Sequence, residues 1–309
     1  MRNIRVGTRN SQLAVIQTKQ VIRQLKQAGM NDPVTIKKIA TTGDRHLNVS
    51  LPKLGGGVFF QELEQALLAE DIDFAVHSLK DITEPPPDDL VIAAIPERED
   101  CRDAYVANDH TPFDELPEGA IIGTSSLRRS AQLLAKRPDL ETKWIRGPVD
   151  SRIEQMQRGD YDAIVLAVAG LRRLGIAQDV ITEYLPADTF VPALGQGALA
   201  IECRKNDRDI RDMLRLIHDP LTAKAVRAER LFLQSFQAHD QAPIAGVAQV
   251  DEHGDIVLNG AVIAYDGQTI LQTTKRGASE EHIAKEAAEA LIAEGAMDII
   301  EAAERELHK

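Results

Sequence analysis

The chain has 309 residues, 43% of them hydrophobic, with 36 Lys and Arg against 48 Asp and Glu and a formal net charge of −12. That content excludes wholesale disorder and leaves room for two or three domains with real cores. The acidic balance argues against a general binder of nucleic acid or anionic lipid, so an arginine that holds an anion here must act locally, on a small acidic ligand.

Through residue 200 the pattern alternates. Strands are predicted near 4–7, 34–39, 72–76, 91–95, 120–123, 143–146 and 162–168, with helices near 11–28, 59–69, 126–136 and 149–157. Such alternation predicts doubly wound α/β domains whose ligands lie beyond the C-terminal strand ends. The first helix has Leu13, Ile16, Val21 and Leu25 at helical spacing, Arg9-Asn10-Ser11 before it and Gly29 as a C-cap. The charged stretch 96–100 and the stretch 192–197 read as two crossings between hinged halves. From Leu221 the character changes to a helix reaching about Phe236, short strands near 247–250, 256–264 and 269–273, and a helix from Ser279. The predicted division is a first domain of 1–97 with 198–216, a second of 98–197 and a small α+β third domain of 217–309.

The most informative stretch is Gly123-Thr124-Ser125-Ser126-Leu127-Arg128-Arg129, where a strand gives way to a helix. First-turn amides lack intrahelical partners and the dipole favours negative charge there, while arginine adds a fork of donors for carboxylate or phosphate. A serine at such a turn is also compatible with a plain N-cap. Two arginines in a first turn oppose the dipole, however, and call for an anion. Ser11 after Arg9, and Arg146 with Arg152, repeat the scheme, so five arginines fall at strand-to-helix junctions. Together they predict a polycarboxylate or polyphosphate ligand.

His77-Ser78-Leu79-Lys80-Asp81 emerges from a buried strand, placing Lys80 for anion contact and Asp81 for proton chemistry. A solvated turn pair with a strand-capping histidine fits the same spacing. Gly55-Gly56-Gly57 lacks the following Lys-Ser/Thr of a phosphate loop and reads, with Phe59, as a lid. Cys101 and Cys203 have neither metal-ligand spacing nor a disulfide pattern, so no metal is expected. No apolar run is long enough to span a bilayer, and the first helix does not read as a signal sequence; a cytoplasmic chain is expected.

Taken jointly, His77-Ser78-Leu79-Lys80-Asp81, Pro96-Glu97-Arg98-Glu99-Asp100, the 123–129 stretch, Leu166-Ala167-Val168-Ala169-Gly170-Leu171 and Gly195-Gln196-Gly197-Ala198-Leu199-Ala200-Ile201-Glu202 resemble the hydroxymethylbilane synthase (porphobilinogen deaminase) family over essentially the whole chain. The resemblance implies two hinged periplasmic-binding-protein-like domains plus the third, a monomer, and a transferase of heme biosynthesis. Its reaction joins four porphobilinogen molecules head to tail with loss of ammonia. It further implies Asp81 as the catalytic carboxylate, with Arg9, Ser11, Lys80, Thr124, Ser126, Arg128, Arg129, Arg146, Arg152 and Gln196 binding a dipyrromethane cofactor and the pyrrole carboxylates.

The chain departs from the family pattern at three places. The cysteine that carries the dipyrromethane by a thioether corresponds to Asp240, so that bond is not expected here. The family's Gly-Gly-Lys-Gly loop is matched by 55–57 without its lysine, with Gly56 and Gly57 at the lid. Its Arg-Gly-Asn-Val reads Arg146-Gly147-Pro148-Val149. A non-catalytic relative that binds porphobilinogen, a linear tetrapyrrole or another polycarboxylate is the alternative. A periplasmic-type binding protein is a third reading, against which the third domain and the first helix both speak.

Overall fold

The structure, a computed structural model, describes residues 2–45, 57–82, 84–176, 178–236 and 242–307. The chain divides into two compact units, Met1–Glu99 with Gly197–Ala223, and Asp100–Gln196 with Lys224–Lys309. In chain order β1 (Ile4–Arg9), α1 (Gln12–Gln27), β2 (Val34–Ile39), α2 (Gln61–Leu68), β3 (Phe74–Ser78) and β4 (Leu90–Ala94) open the first unit. β5 (Asp103–Ala107), β6 (Ile121–Gly123), α3 (Leu127–Lys136), β7 (Glu141–Lys143), α4 (Val149–Gln157), β8 (Ala163–Ala167), α5 (Val168–Leu174) and β9 (Glu183–Leu185) follow in the second. β10 (Leu199–Arg204) and α6 (Arg208–Leu214) return to the first, and α7 (Pro220–Gln234) crosses out of it. β11 (Ile244–Val250), β12 (Ile256–Ile263), β13 (Ile270–Gly277), α8 (Glu280–Ala293) and α9 (Ala296–Leu307) complete the second.

The first unit is a five-stranded sheet in the order β2-β1-β3-β10-β4. β1 runs parallel to β2 and β3, and β10 is antiparallel to both its neighbours. Apolar side chains cover both faces. Ile4, Val6, Phe74 and Ile201 pack under α1, and Leu63 and Leu67 of α2 cover Ile72 and Ala75. Two-sided burial explains the near-continuous apolar run of β3.

The second unit repeats this plan in the order β7-β6-β8-β5-β9, with β6 parallel to β7 and β8 and β5 antiparallel to β8 and β9. In both sheets the central strand of the parallel set leads through a polar turn into a helix, so Ser11 and Ser126 occupy equivalent places. The same unit holds the smaller α+β part, an antiparallel sheet β11-β12-β13 packed against α7, α8 and α9 around Phe232, Phe236, Leu258 and Leu291. Ala131 of α3 joins Val191, Ala245, Ala261 and Ile263 in one apolar cluster, so that sheet rests on the helix that starts at Leu127.

Element positions follow the sequence pattern with informative shifts. The strand expected at 143–146 is 141–143: its last rung is the Thr124 N–H to the Lys143 carbonyl at 2.9 Å, after which Gly147 at φ 120° turns the chain. The strand expected at 72–76 occupies 74–78, because β10 pairs Ala200 with His77 and Leu199 with Ser78. β5, β9, α5 and α6 have no counterpart in the periodicity. β5 opens on the charged Asp103 and β9 on Glu183, and α5 starts directly after the last residue of β8, so one apolar run contains both β8 and α5.

Candidate functional site

In the first unit the chemistry gathers at the C-terminal end of β3. The strand carries His77 and Ser78, and a single 3-10 turn, Leu79–Asp81, then presents Lys80 and Asp81. Both are half-buried, the Asp81 side chain 29% exposed. Arg9, the last residue of β1, lies beside it: Nη1 donates to Asp81 Oδ2 at 3.5 Å and Nη2 to Asp44 Oδ1 at 2.6 Å. Burial opposes ionisation of Asp44, but the hydrogen bond and charge of Arg9 outweigh it and hold the carboxyl below its ordinary range. The guanidinium also stacks on Phe59, 4.1 Å from the ring centroid. A recess lined by Arg9, Gln17, Phe59, His77, Ser78 and Asp81 results.

Ser11 is the N-cap of α1, its hydroxyl accepting from the Ala14 N–H at 3.3 Å. Phe59 follows a turn opened by Gly57 at φ 73°, and its ring packs where a Cβ on Gly43 would stand. Gly56, the other predicted lid glycine, and Asp240 lie outside the described residues. His77 is not a strand cap but a buried member of β3, its Nε2 3.2 Å from Glu202 Oε2.

In the second unit Thr124 and Ser126 shape the start of α3. The Ser126 N–H donates to Thr124 Oγ1 at 3.1 Å, and Ser126 Oγ accepts from the Arg129 N–H at 3.4 Å. The anion that the two first-turn arginines call for is supplied in part by the chain itself. Asp103, fully buried at the start of β5, accepts from Arg128 Nη2 at 2.7 Å and from Arg129 Nη2 at 2.6 Å and Nε at 3.1 Å. The Gln196 amide adds a bond to Asp103 Oδ1 at 2.9 Å and another to the Cys101 carbonyl at 2.8 Å. Main-chain carbonyls of Val191 and Val165 take a further donor from each arginine. Burial alone would raise the Asp103 pKa; the charges of Arg128 and Arg129 outweigh it and hold the carboxyl far below its usual range.

Asp103 carries one negative charge against two arginines. Arg152, on α4, is pushed down to about 10 by burial and by the like charges of Arg129 and Arg146. The guanidiniums of Arg129, Arg146 and Arg152 are thus close enough to act on one another as one group of donors. Arg152 Nε donates to the Gly147 carbonyl at 2.9 Å. Arg146 lies three residues beyond β7 rather than at its end, half-buried.

Residue periodicity gave no sign of Asp103, Asp44 or the His77–Glu202 pair. The available signal was a charged residue inside an apolar run, as in Asp103-Ala104-Tyr105-Val106-Ala107 and Leu199-Ala200-Ile201-Glu202-Cys203; such residues are seldom buried unless paired. Among the described residues no group of three or more His, Cys, Asp and Glu is placed to hold a metal ion, and no helix is long and apolar enough to cross a membrane.

Residues 4–212 match the family described as porphobilinogen deaminase, dipyromethane cofactor binding domain, and residues 223–293 match the porphobilinogen deaminase C-terminal domain. A porphobilinogen deaminase of Oceanobacillus iheyensis is 52% identical over 99% of both chains, and one of Geobacillus sp. (strain WCH70) is 49% identical over the full length of both. Among solved structures, a nutrient binding protein from Burkholderia cenocepacia bound to methionine is similar with a TM-score of 0.44 and 12% identity, covering 70% of this chain and 92% of that one. The two family matches and the full-length identities together establish that this chain belongs to the porphobilinogen deaminase family.

Proposed function

We propose that the chain is a hydroxymethylbilane synthase, joining four porphobilinogen molecules head to tail with release of ammonia in tetrapyrrole biosynthesis, as its membership of the family implies. The observation that carries the reading is the half-buried Asp81 carboxylate, held beside the Arg9 guanidinium in the lining of a recess. A carboxylate so placed accepts a hydrogen bond from a pyrrole N–H and stabilises the positive charge that grows on the substrate as ammonia leaves. Arg9 orients that carboxylate through its Nη1 donor.

Acetate and propionate groups need cations and first-turn amides. Lys80 and Ser11 supply them in the first unit; Thr124, Ser126, Arg128, Arg129, Arg146 and Arg152 do so in the second, with Gln196 holding Asp103 in place. A dipyrromethane suits this set through its carboxylates, since Arg129, Arg146 and Arg152 bring guanidinium donors into one group. When bound, the dipyrromethane supplies the terminal pyrrole carbon to which the next unit is joined.

A thioether suits neither position 240 nor Cys203. Position 240 is an aspartate, and Cys203 is fully buried in β10 with its thiol pushed up to about 12 by burial and by Asp207, so it offers no thiolate. We therefore propose that the primer is held noncovalently, by its carboxylates, in a cytoplasmic monomer that has no nucleic-acid partner.

The aspartate at 240 also favours a second reading, a relative that binds acidic pyrroles without polymerising them. Ammonia release from porphobilinogen separates the two. A synthase releases it, and Asp81→Asn lowers kcat by about 10² to 10⁴ with KM little changed. Porphobilinogen binding without ammonia release from the unmodified chain would establish the second reading instead.

A further inference from the structure

The carboxylate of Glu229 has no part in the chemistry above, yet it is fully buried on α7. Both of its oxygens accept from backbone: Oε2 from the Gly195 N–H at 2.6 Å and Oε1 from the Ala248 N–H of β11 at 2.7 Å. Buried carboxylates are rare unless satisfied by donors, and this one ties a loop of the arginine-bearing part to β11. Gly195 takes φ 75°, a left-handed turn, and the next residue is Gln196. The Gln196 side chain is 1% exposed and donates to Asp103 and to the Cys101 carbonyl. Asp103 in turn holds Arg128 and Arg129. A second tie fixes the same segment, the Gly246 N–H donating to the Pro192 carbonyl at 2.9 Å.

We propose that Glu229 is a positioning residue for the arginines that bind pyrrole carboxylates, acting through the Gly195-Gln196 turn and Asp103. Glu229 fixes the turn, the turn aims the Gln196 amide, and the amide occupies the Asp103 lone pairs that would otherwise let the carboxylate swing away from its arginines. The α+β part is by this route coupled to the arginine group of its own unit. The inference rests on the proposed function for its consequence in turnover, but its physical core is independent of activity.

Two readouts test it. In the protein without substrate, the Arg129 Nε–H donates to Asp103 and its NMR signal exchanges slowly with solvent. Glu229→Gln, which keeps volume but puts an NH₂ against one of the two backbone donors, speeds that exchange at least tenfold, and Gln196→Ala does the same. In turnover, each variant raises KM for porphobilinogen about tenfold with kcat changed less than about twofold, and the double variant raises it no further, because both act through one route.

Arg129 Nε–H exchange that is unchanged in Gln196→Ala overturns the inference, and does so even where Glu229→Gln fails to fold. Independent KM effects that multiply to about a hundredfold in the double variant also overturn it, as does a Glu229→Gln variant that loses thermal stability with KM unchanged. A wild-type protein that consumes no porphobilinogen would refute the proposed function, while the exchange measurement still decides this inference on its own.

Discussion

Replacing Asp103 with asparagine removes one negative charge and leaves two guanidiniums behind, Arg128 and Arg129, each 8% exposed. The amide also turns a donor towards groups that are themselves donors. Breaking a buried ion pair by removing one partner costs about 3–5 kcal/mol, because the survivor is left charged and desolvated. With a urea dependence of about 2–3 kcal/mol per molar for a chain of this size, the unfolding transition of the second unit should move down by about 1–2 M, read by circular dichroism. The loss depends on pH in a defined direction. Asp103 has its folded pKa held far below the ordinary value, so its stabilisation is present above about pH 4 and lost as pH falls. Wild type and variant therefore converge in acid. The uncompensated arginines also gain affinity for added anions, so phosphate at a hundred times its Kd restores about 2.7 kcal/mol to the variant and less to the wild type. A midpoint shift worth less than about 1 kcal/mol, or a difference that widens in acid, would refute the assignment of Asp103 as the internal counterion.

Arg152→Ala should weaken porphobilinogen binding about tenfold or more and flatten its salt dependence, as measured by quenching of the single tryptophan, the half-exposed Trp144 two residues before Arg146; unchanged affinity would remove Arg152 from the anion group. Glu64, 9% exposed on α2, has its carboxyl pushed up to about 7 by burial and by Glu202 and Glu84. Its folded pKa lies above the unfolded value near 4.5, so between those values the folded state binds more protons and stability falls as pH rises. Glu64→Gln should accordingly flatten the melting temperature between pH 5 and 8 and stabilise the protein at pH 8 by about 3 kcal/mol; a variant no more stable there than wild type contradicts the reading. Cys203 should resist iodoacetamide at pH 8 until the protein is unfolded, as read by peptide mapping, and rapid labelling at Cys203 itself in the native protein would show it to be an available nucleophile.

The sequence makes legible what repeats or alternates. Ser11 and Ser126 cap helices as their polar turns imply, and Lys80 and Asp81 emerge at a strand end because Phe74–Val76 is an unbroken apolar run. The arginines were visible as a set at junctions, but their partners were not. Asp103 lies 25 and 26 residues from Arg128 and Arg129, and its role depends on β5 joining the sheet antiparallel beside β8, a pairing no local pattern encodes. Glu202 reaches His77 from 125 residues away for the same reason, since β10 enters a sheet begun at the other end of the chain. Glu229 was hidden among the charges of an amphipathic helix, where one buried carboxylate has the same letter as the solvated ones.

Paired native and denaturing mass spectrometry of the purified protein, after incubation with porphobilinogen, tests the central claim most directly. The account predicts native species heavier than the 33.9 kDa chain by a primer and successive pyrrole units, all lost on denaturation to leave the bare polypeptide. An adduct that survives denaturation would contradict the noncovalent primer, and a native mass that never exceeds the bare chain would contradict the synthase itself.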